Sequence, residues 1–187
     1  MGCGAINNKN TIKNSPIKIL VLGFSGSGKT YIVYAWSLGL PNLVTTLPTG
    51  GDMFNVEKIA IQTSQFMYLW DIGGEMAHRR RSYFPGSQGV VYVVDSSKPS
   101  MIDDIVEDLT SLVTDRDLLG LPLLVLANKQ DSEGCLTTEQ IKSHIIQHVP
   151  FPKLCEVCGI GLSSQTDLSH ALVLLENLLC QGGIISK

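Results

Sequence analysis

At 187 residues with a formal net charge of −3, the chain has the length of one domain with a self-sufficient core. The slightly acidic balance argues against a general nucleic-acid binder, and no apolar run is long enough to span a bilayer. Five scattered cysteines, an odd number without a secretory signal, suit a reducing cytosolic compartment; no repeat or linker points to a second domain.

The composition divides the chain into a flexible tail over 1–16, a domain over 17–181 and a short C-terminal tail over 182–187. No Asp or Glu precedes Asp52, whereas Lys9, Lys13 and Lys18 punctuate the start. Gly2, exposed by removal of Met1, is a myristoylation position, and Cys3 beside it is a candidate for palmitoylation. One acyl chain attaches weakly, so stable membrane contact would need the second chain or the lysines. The pattern is incomplete, because Ile6 stands where Ser or Thr belongs. An acylated anchor and an unmodified terminus both remain open.

The apolar run Ile17 to Leu22 predicts a strand, and Tyr31 to Trp36 predicts a helix. Between them lies Gly23-Phe24-Ser25-Gly26-Ser27-Gly28-Lys29-Thr30, which fits G-x-x-x-x-G-K-[S/T] in its proper setting. Glycines let successive N–H groups curl around phosphate oxygens, and the helix start adds its positive dipole end. Lys29 would reach the β- and γ-phosphates, while the Thr30 hydroxyl would sit on Mg²⁺. A glycine-rich turn with a chance Lys-Thr is the bland alternative, and the flanking strand and helix speak against it.

Gly39, Pro41 and Asn42 signal a loop that continues through Thr45 to Gly51. A loop threonine whose hydroxyl joins the Mg²⁺ shell only with the γ-phosphate present is what a phosphate-sensing switch needs, and Thr49 is the candidate. Phe54 to Ile61 and Phe66 to Trp70 read as a β-hairpin around Thr63-Ser64-Gln65. It ends in Asp71-Ile72-Gly73-Gly74, a D-x-x-G. There Asp71 can hold Mg²⁺ through water, and the Gly74 N–H can donate to the γ-phosphate.

Gly89 to Asp95 and Leu121 to Ala127 are continuous apolar runs suited to central parallel strands. Residues 100 to 118 between them show helical spacing. Asn128-Lys129-Gln130-Asp131 sits at the carboxyl end of the second run, where open α/β sheets bind ligands. The Asp131 carboxylate accepts from the ring N–H and exocyclic amine of guanine, groups that adenine lacks. Asn128 supports the base and its loop, and the Lys129 stem covers the ring face.

Thr137 to Gln140 starts a helix with a capping box, Lys153 to Leu162 reads as the last strand, and Asp167 to Leu179 as the closing helix. Leu162 and Ser163 lie in a loop that can touch the base from the other side. Cys155-Glu156-Val157-Cys158 is a weak zinc signal without a second pair. His144, His148 and His170 are expected on helix surfaces, and Arg79-Arg80-Arg81 on a solvated helix face or, alternatively, in a patch for an acidic effector or lipid headgroups.

With these residues assembled, the chain resembles the ADP-ribosylation factor and Arf-like branch of the small GTPases from Ile17 to Leu179. Leu47-Pro48-Thr49 before Phe54 to Glu57, Trp70-Asp71-Ile72-Gly73-Gly74, and Tyr83-Phe84 before Gln88-Gly89 carry the resemblance. It implies an α/β P-loop NTPase fold of the small-GTPase type, a six-stranded, mostly parallel sheet with helices on both faces. It also implies GTP or GDP with Mg²⁺, a monomer, and switch regions meeting effectors, an exchange factor and a GTPase activator. The hairpin would be the element that shifts register. Location would be cytoplasmic, or peripheral on a membrane through the N-terminus.

Three departures matter. The water-positioning glutamine after W-D-x-G-G is Glu75 here. An ionised glutamate can only accept, and it brings negative charge towards an anionic γ-phosphate, which predicts slow GTP hydrolysis. The first switch is longer than the family's and the Glu75 to Phe84 segment shorter, so partner identity does not transfer. No amphipathic N-terminal helix is evident. Two rivals follow: a nucleotide-bound scaffold without turnover, and an ATP-dependent small-molecule kinase, which would leave Asn128 to Asp131 unexplained.

Overall fold

The computed structural model describes residues 16–39, 54–61, 65–74, 79–150, 152–161 and 164–186. Six strands form one sheet: β1 (Ile17–Leu22), β2 (Phe54–Ala60), β3 (Phe66–Ile72), β4 (Gly89–Asp95), β5 (Leu123–Asn128) and β6 (Cys155–Ile160). Their order across it is β2-β3-β1-β4-β5-β6. All neighbours run parallel except β2 and β3, the expected hairpin, paired from Phe54 with Ile72 to Ala60 with Phe66. A fold with five strands parallel needs crossover helices, and these are α1 (Lys29–Leu38), α2 (Ile102–Thr114), α3 (Thr138–His148) and α4 (Gln165–Gln181).

Strand alternation divides the core between the two faces. Ile19 and Val21 of β1, Val91 and Val93 of β4, and Leu124 and Leu126 of β5 bury one face against Ile32 and Val33 of α1 and Leu168, Leu175 and Leu179 of α4. Leu20, Leu22, Val90, Tyr92 and Val125 bury the other against Ile105 and Leu109 of α2 and Ile141 and Ile145 of α3. Central strands covered on both faces must be apolar along their length, as β4 and β5 are up to their last residues, Asp95 and Asn128.

Local chemistry sets the helix ends. Gly39 takes the left-handed conformation after α1, and its N–H bonds the Ala35 carbonyl. Thr137 and Gln140 form the expected capping box on α3. Ser164 caps α4 by accepting from the Asp167 amide, so that helix begins two residues before Asp167 and extends to Gln181. Helix α2 stops short of residue 118. Asp115 is extended and its carboxylate accepts from the Asp117 amide, a local turn that competes with the helix.

The short tail after α4 is docked. The Ile184 amide reaches back to the Leu179 carbonyl, and Ile185 is buried in the core of the α1/α4 face. Among the described residues no helix is long and apolar enough to cross a membrane.

The arginine run corrects an expectation. Arg80 is not on a solvated face: it grips both oxygens of Asp108 on α2, and the Tyr92 hydroxyl donates to the same carboxylate at 2.7 Å. Burial first, and then the neighbouring Asp108 charge, push the Tyr92 phenol well above its ordinary pKa, so it remains a donor. Arg81 pairs with Asp115 at 2.8 Å while largely exposed. These ties fasten the segment after residue 78 to α2 and to Asp115 just beyond it, while Arg79 and Arg81 stay exposed.

Candidate functional site

Strand β1 lies between β3 and β4, the place where successive connections turn to opposite sides of the sheet. Crevices for ligands form at the carboxyl ends of strands at such a point. Gly23 to Gly28 leave β1 there, and Gly23, Gly26 and Gly28 have φ values of 135°, 77° and 99°. Only glycine takes such angles readily, and the result is a curled loop running directly into α1. Gly28 holds the cap position with no side chain to fill the helix start, which leaves the first-turn amides available to an anion.

Lys29 is buried, and its Nζ donates to the carbonyls of Gly23 and Phe24, each at 2.9 Å. Burial lowers its pKa from the ordinary lysine value, and the charge of Asp71 opposes that shift. A dehydrated ammonium folded over its own loop is poised for phosphate oxygens. Next to it, the Thr30 hydroxyl donates to Asp71 Oδ2 at 2.6 Å, and Asp71 is fully buried at the end of β3. An all-oxygen pair of a hydroxyl and a carboxylate beside a phosphate cradle fits Mg²⁺, which prefers hard oxygen ligands and retained waters. Gly74 packs on the loop so closely that an added Cβ would come within 2.3 Å of the Ser25 nitrogen. The D-x-x-G therefore needs its glycine for space.

The loop after β5 is tied to the glycine-rich loop after β1. Asn128 is fully buried and donates from Nδ2 to the Ser27 carbonyl at 2.7 Å, while its Oδ1 accepts from the Lys129 amide at 2.8 Å. Asp131 is exposed at the mouth, and the end of β6 lies beside it: a Cβ on Gly161 would be 3.8 Å from the Asp131 carboxylate. Ser27 Oγ is buried without a hydrogen-bond partner among the described residues.

Gly23 to Thr30, Asp71, Gly74, Asn128, Lys129 and Asp131 thus lie at the carboxyl ends of β1, β3 and β5. Thr49, Glu75, Leu162, Ser163, Gly2 and Cys3 lie outside the described residues. Asp95, which the sequence reading passed over, closes the strand beside Asn128 and bonds Lys129 Nζ at 2.7 Å. Its signal was its place: a carboxylate ending a central apolar strand.

The cysteine pair does not form a metal site. Positions three apart on a strand face opposite ways, and Cys155 packs on the α2/α3 face while Cys158 is in the α1/α4 core. Burial chiefly, with the Glu156 charge, pushes the Cys155 thiol up to about 12, so it stays protonated. Among the described residues no cluster of three or more His, Cys, Asp or Glu suited to a metal occurs. His148 and His170 are exposed and His144 is half-buried.

The family model described as the ADP-ribosylation factor family matches residues 4–177. ADP-ribosylation factor 1 from Brassica rapa subsp. pekinensis is 39% identical over 168 residues, 85% of this chain and 90% of that protein. ADP-ribosylation factor-like protein 1 from Caenorhabditis elegans is 39% identical over 167 residues, 88% of this chain and 90% of its own length. The solved structure of the Arl6 BBS3 small GTPase from Trypanosoma brucei, with bound nucleotide analogue GppNp, superposes with a TM-score of 0.70 at 18% identity. It covers 89% of this chain and 99% of that one, a likeness of fold. The chain belongs to the ADP-ribosylation factor family of small GTPases.

Proposed function

We propose that this chain is a GTP/GDP-dependent switch that holds guanine nucleotide with Mg²⁺ and recruits protein effectors, with slow intrinsic hydrolysis. The observation that carries this reading is the convergence of the Gly23 to Gly28 loop, the Thr30–Asp71 pair and the Asn128 loop at the carboxyl ends of β1, β3 and β5. In it, the loop amides and Lys29 hold the phosphates, and Asp131 selects guanine while the Lys129 stem lines the base. Leu162 and Ser163 would close the base slot from the other side. Thr30, Thr49 and, through water, Asp71 would hold Mg²⁺, which when bound neutralises charge on the β- and γ-phosphates.

Gly74 would donate its N–H to the γ-phosphate, coupling the second switch to the terminal phosphate. Thr49 would do the same for the first. Beside the switches, Phe54 stacks on Trp70 with centroids 5.4 Å apart and meets Tyr83 at 5.1 Å. Phe54 is 44% exposed, so this aromatic surface suits effector contact through the switch regions. Exchange factors and activators would act on the same regions, and acylation at Gly2 or Cys3 would add peripheral membrane contact.

Glu75 favours a second reading, a nucleotide-bound scaffold that does not turn over. Single-turnover hydrolysis of pre-bound GTP separates the two. Slow hydrolysis is expected for the natural protein, with Glu75→Gln faster by about 10-fold or more, the scale of a water-orienting donor. Tight binding with no hydrolysis by either protein supports the scaffold. Brisk turnover that Glu75→Gln leaves unchanged removes the role given to Glu75.

A further inference from the structure

Lys129 is held at both its backbone and its ammonium. Its backbone is left-handed, with φ at 67°, a region few residues other than glycine enter. Its amide bonds Asn128 Oδ1, and its ammonium bonds Asp95 Oδ2 at 2.7 Å. Asp95 is placed by register, since it pairs with Asn128 as the last residues of β4 and β5.

Its two carboxylate oxygens have separate partners. Oδ1 accepts from the Ser97 amide at 3.1 Å and the Ser97 hydroxyl at 2.6 Å, which orients the group. Oδ2 faces Lys129, with the more exposed Lys98 reaching it at 3.7 Å. Burial alone would raise the Asp95 pKa. The bonds from Lys129 and Ser97 and the Lys129 charge outweigh it and leave the carboxyl below its ordinary range, ionised at neutral pH.

We propose that Asp95 is a positioning residue for nucleotide binding: its carboxylate fixes the Lys129 ammonium so that the lysine stem forms a standing wall of the base slot. The inference rests on the guanine-nucleotide reading above. A lysine stem free in water must lose rotamer freedom on binding. One fixed beforehand loses little, and that difference appears as slower release of nucleotide. Asp95 touches neither base nor phosphate in this account; it acts through Lys129.

The test is release of GDP and of IDP, each carrying a ribose-linked fluorophore, from the natural protein, Asp95→Asn, Lys129→Met and the double variant. Asparagine keeps the shape and the Ser97 bonds but removes the charge facing the ammonium. Methionine keeps an apolar stem but has nothing for Asp95 to hold. Each single variant should release both nucleotides about 10- to 100-fold faster, the range for a lost charge-assisted hydrogen bond. The double variant should be no faster than Lys129→Met, because both changes remove one interaction.

The preference for GDP over IDP should stay unchanged, since Asp131 is untouched. A merely structural role for Asp95 would disturb the 128–131 loop and erase that preference, which overturns the proposal. Release from Asp95→Asn within about twofold of the natural rate, or effects that multiply in the double variant, overturns it as well. If the natural protein binds neither nucleotide, the guanine reading itself falls and carries this inference with it.

Discussion

Replacing Asp131 with alanine should weaken GDP binding by about 10²- to 10⁴-fold, the equivalent of two charge-assisted hydrogen bonds. The side chain is exposed at the mouth of the site, with β6 ending beside it, so its removal leaves the core untouched. Surface changes of that kind shift stability by only about 0.5 kcal/mol. Binding and folding should therefore separate: titration calorimetry with GDP shows the loss, while the urea midpoint stays in place. A loss of less than about threefold would show that the guanine edge is read elsewhere.

Gly23→Ala should act in the opposite way, through the fold. A Cβ at Gly23 would come within 2.2 Å of the Val93 carbonyl oxygen, and the residue sits at a φ of 135°. Val93 belongs to β4 at the middle of the sheet, paired with β5 through Leu126, so it cannot retreat. Backbone strain and overpacking together suggest a loss of about 3–6 kcal/mol, a large part of a typical domain's stability. Gly26→Ala offers the control: its φ is also positive, but the nearest atom to the added carbon is Lys98 Nζ at 4.0 Å. That variant should lose only about 1–2 kcal/mol. Equal urea midpoints for Gly23→Ala and the natural protein would mean that the close approach to Val93 is relieved at no cost.

The curled loop from Gly23 to Gly28 was legible in the sequence because its signal is local. Close backbone approach to an anion demands glycine at fixed spacing, and one lysine and one hydroxyl follow within a turn. Asp71 and Asn128 were legible because each ends an apolar strand, and strand ends are where such sheets bind ligands. Asp95 ends a strand in the same way. Its role stayed hidden because it depends on Lys129, 34 positions away, adopting a backbone conformation that no lysine advertises.

Arg80 was misread for a related reason. A run of arginines looks like a solvated face until the fold brings Asp108 and Tyr92 to it. Cys155 and Cys158 were the reverse case, a motif by spacing that strand alternation takes apart. The end of α2 turned on one carboxylate, since Asp115 makes its own turn where apolar periodicity alone would have carried the helix on.

We read the carboxyl ends of the strands around Lys29 and Asp131 as a guanine-nucleotide site. Equilibrium competition at that site, GTP against ATP with Mg²⁺ on the natural protein, tests it most directly. A carboxylate that accepts two hydrogen bonds from guanine and none of that pattern from adenine discriminates by about 10²-fold or more, so GTP should displace bound GDP at concentrations where ATP has no effect. Displacement by ATP at equal or lower concentration than GTP would rule out guanine selection by Asp131 and move the chain to adenine-nucleotide chemistry.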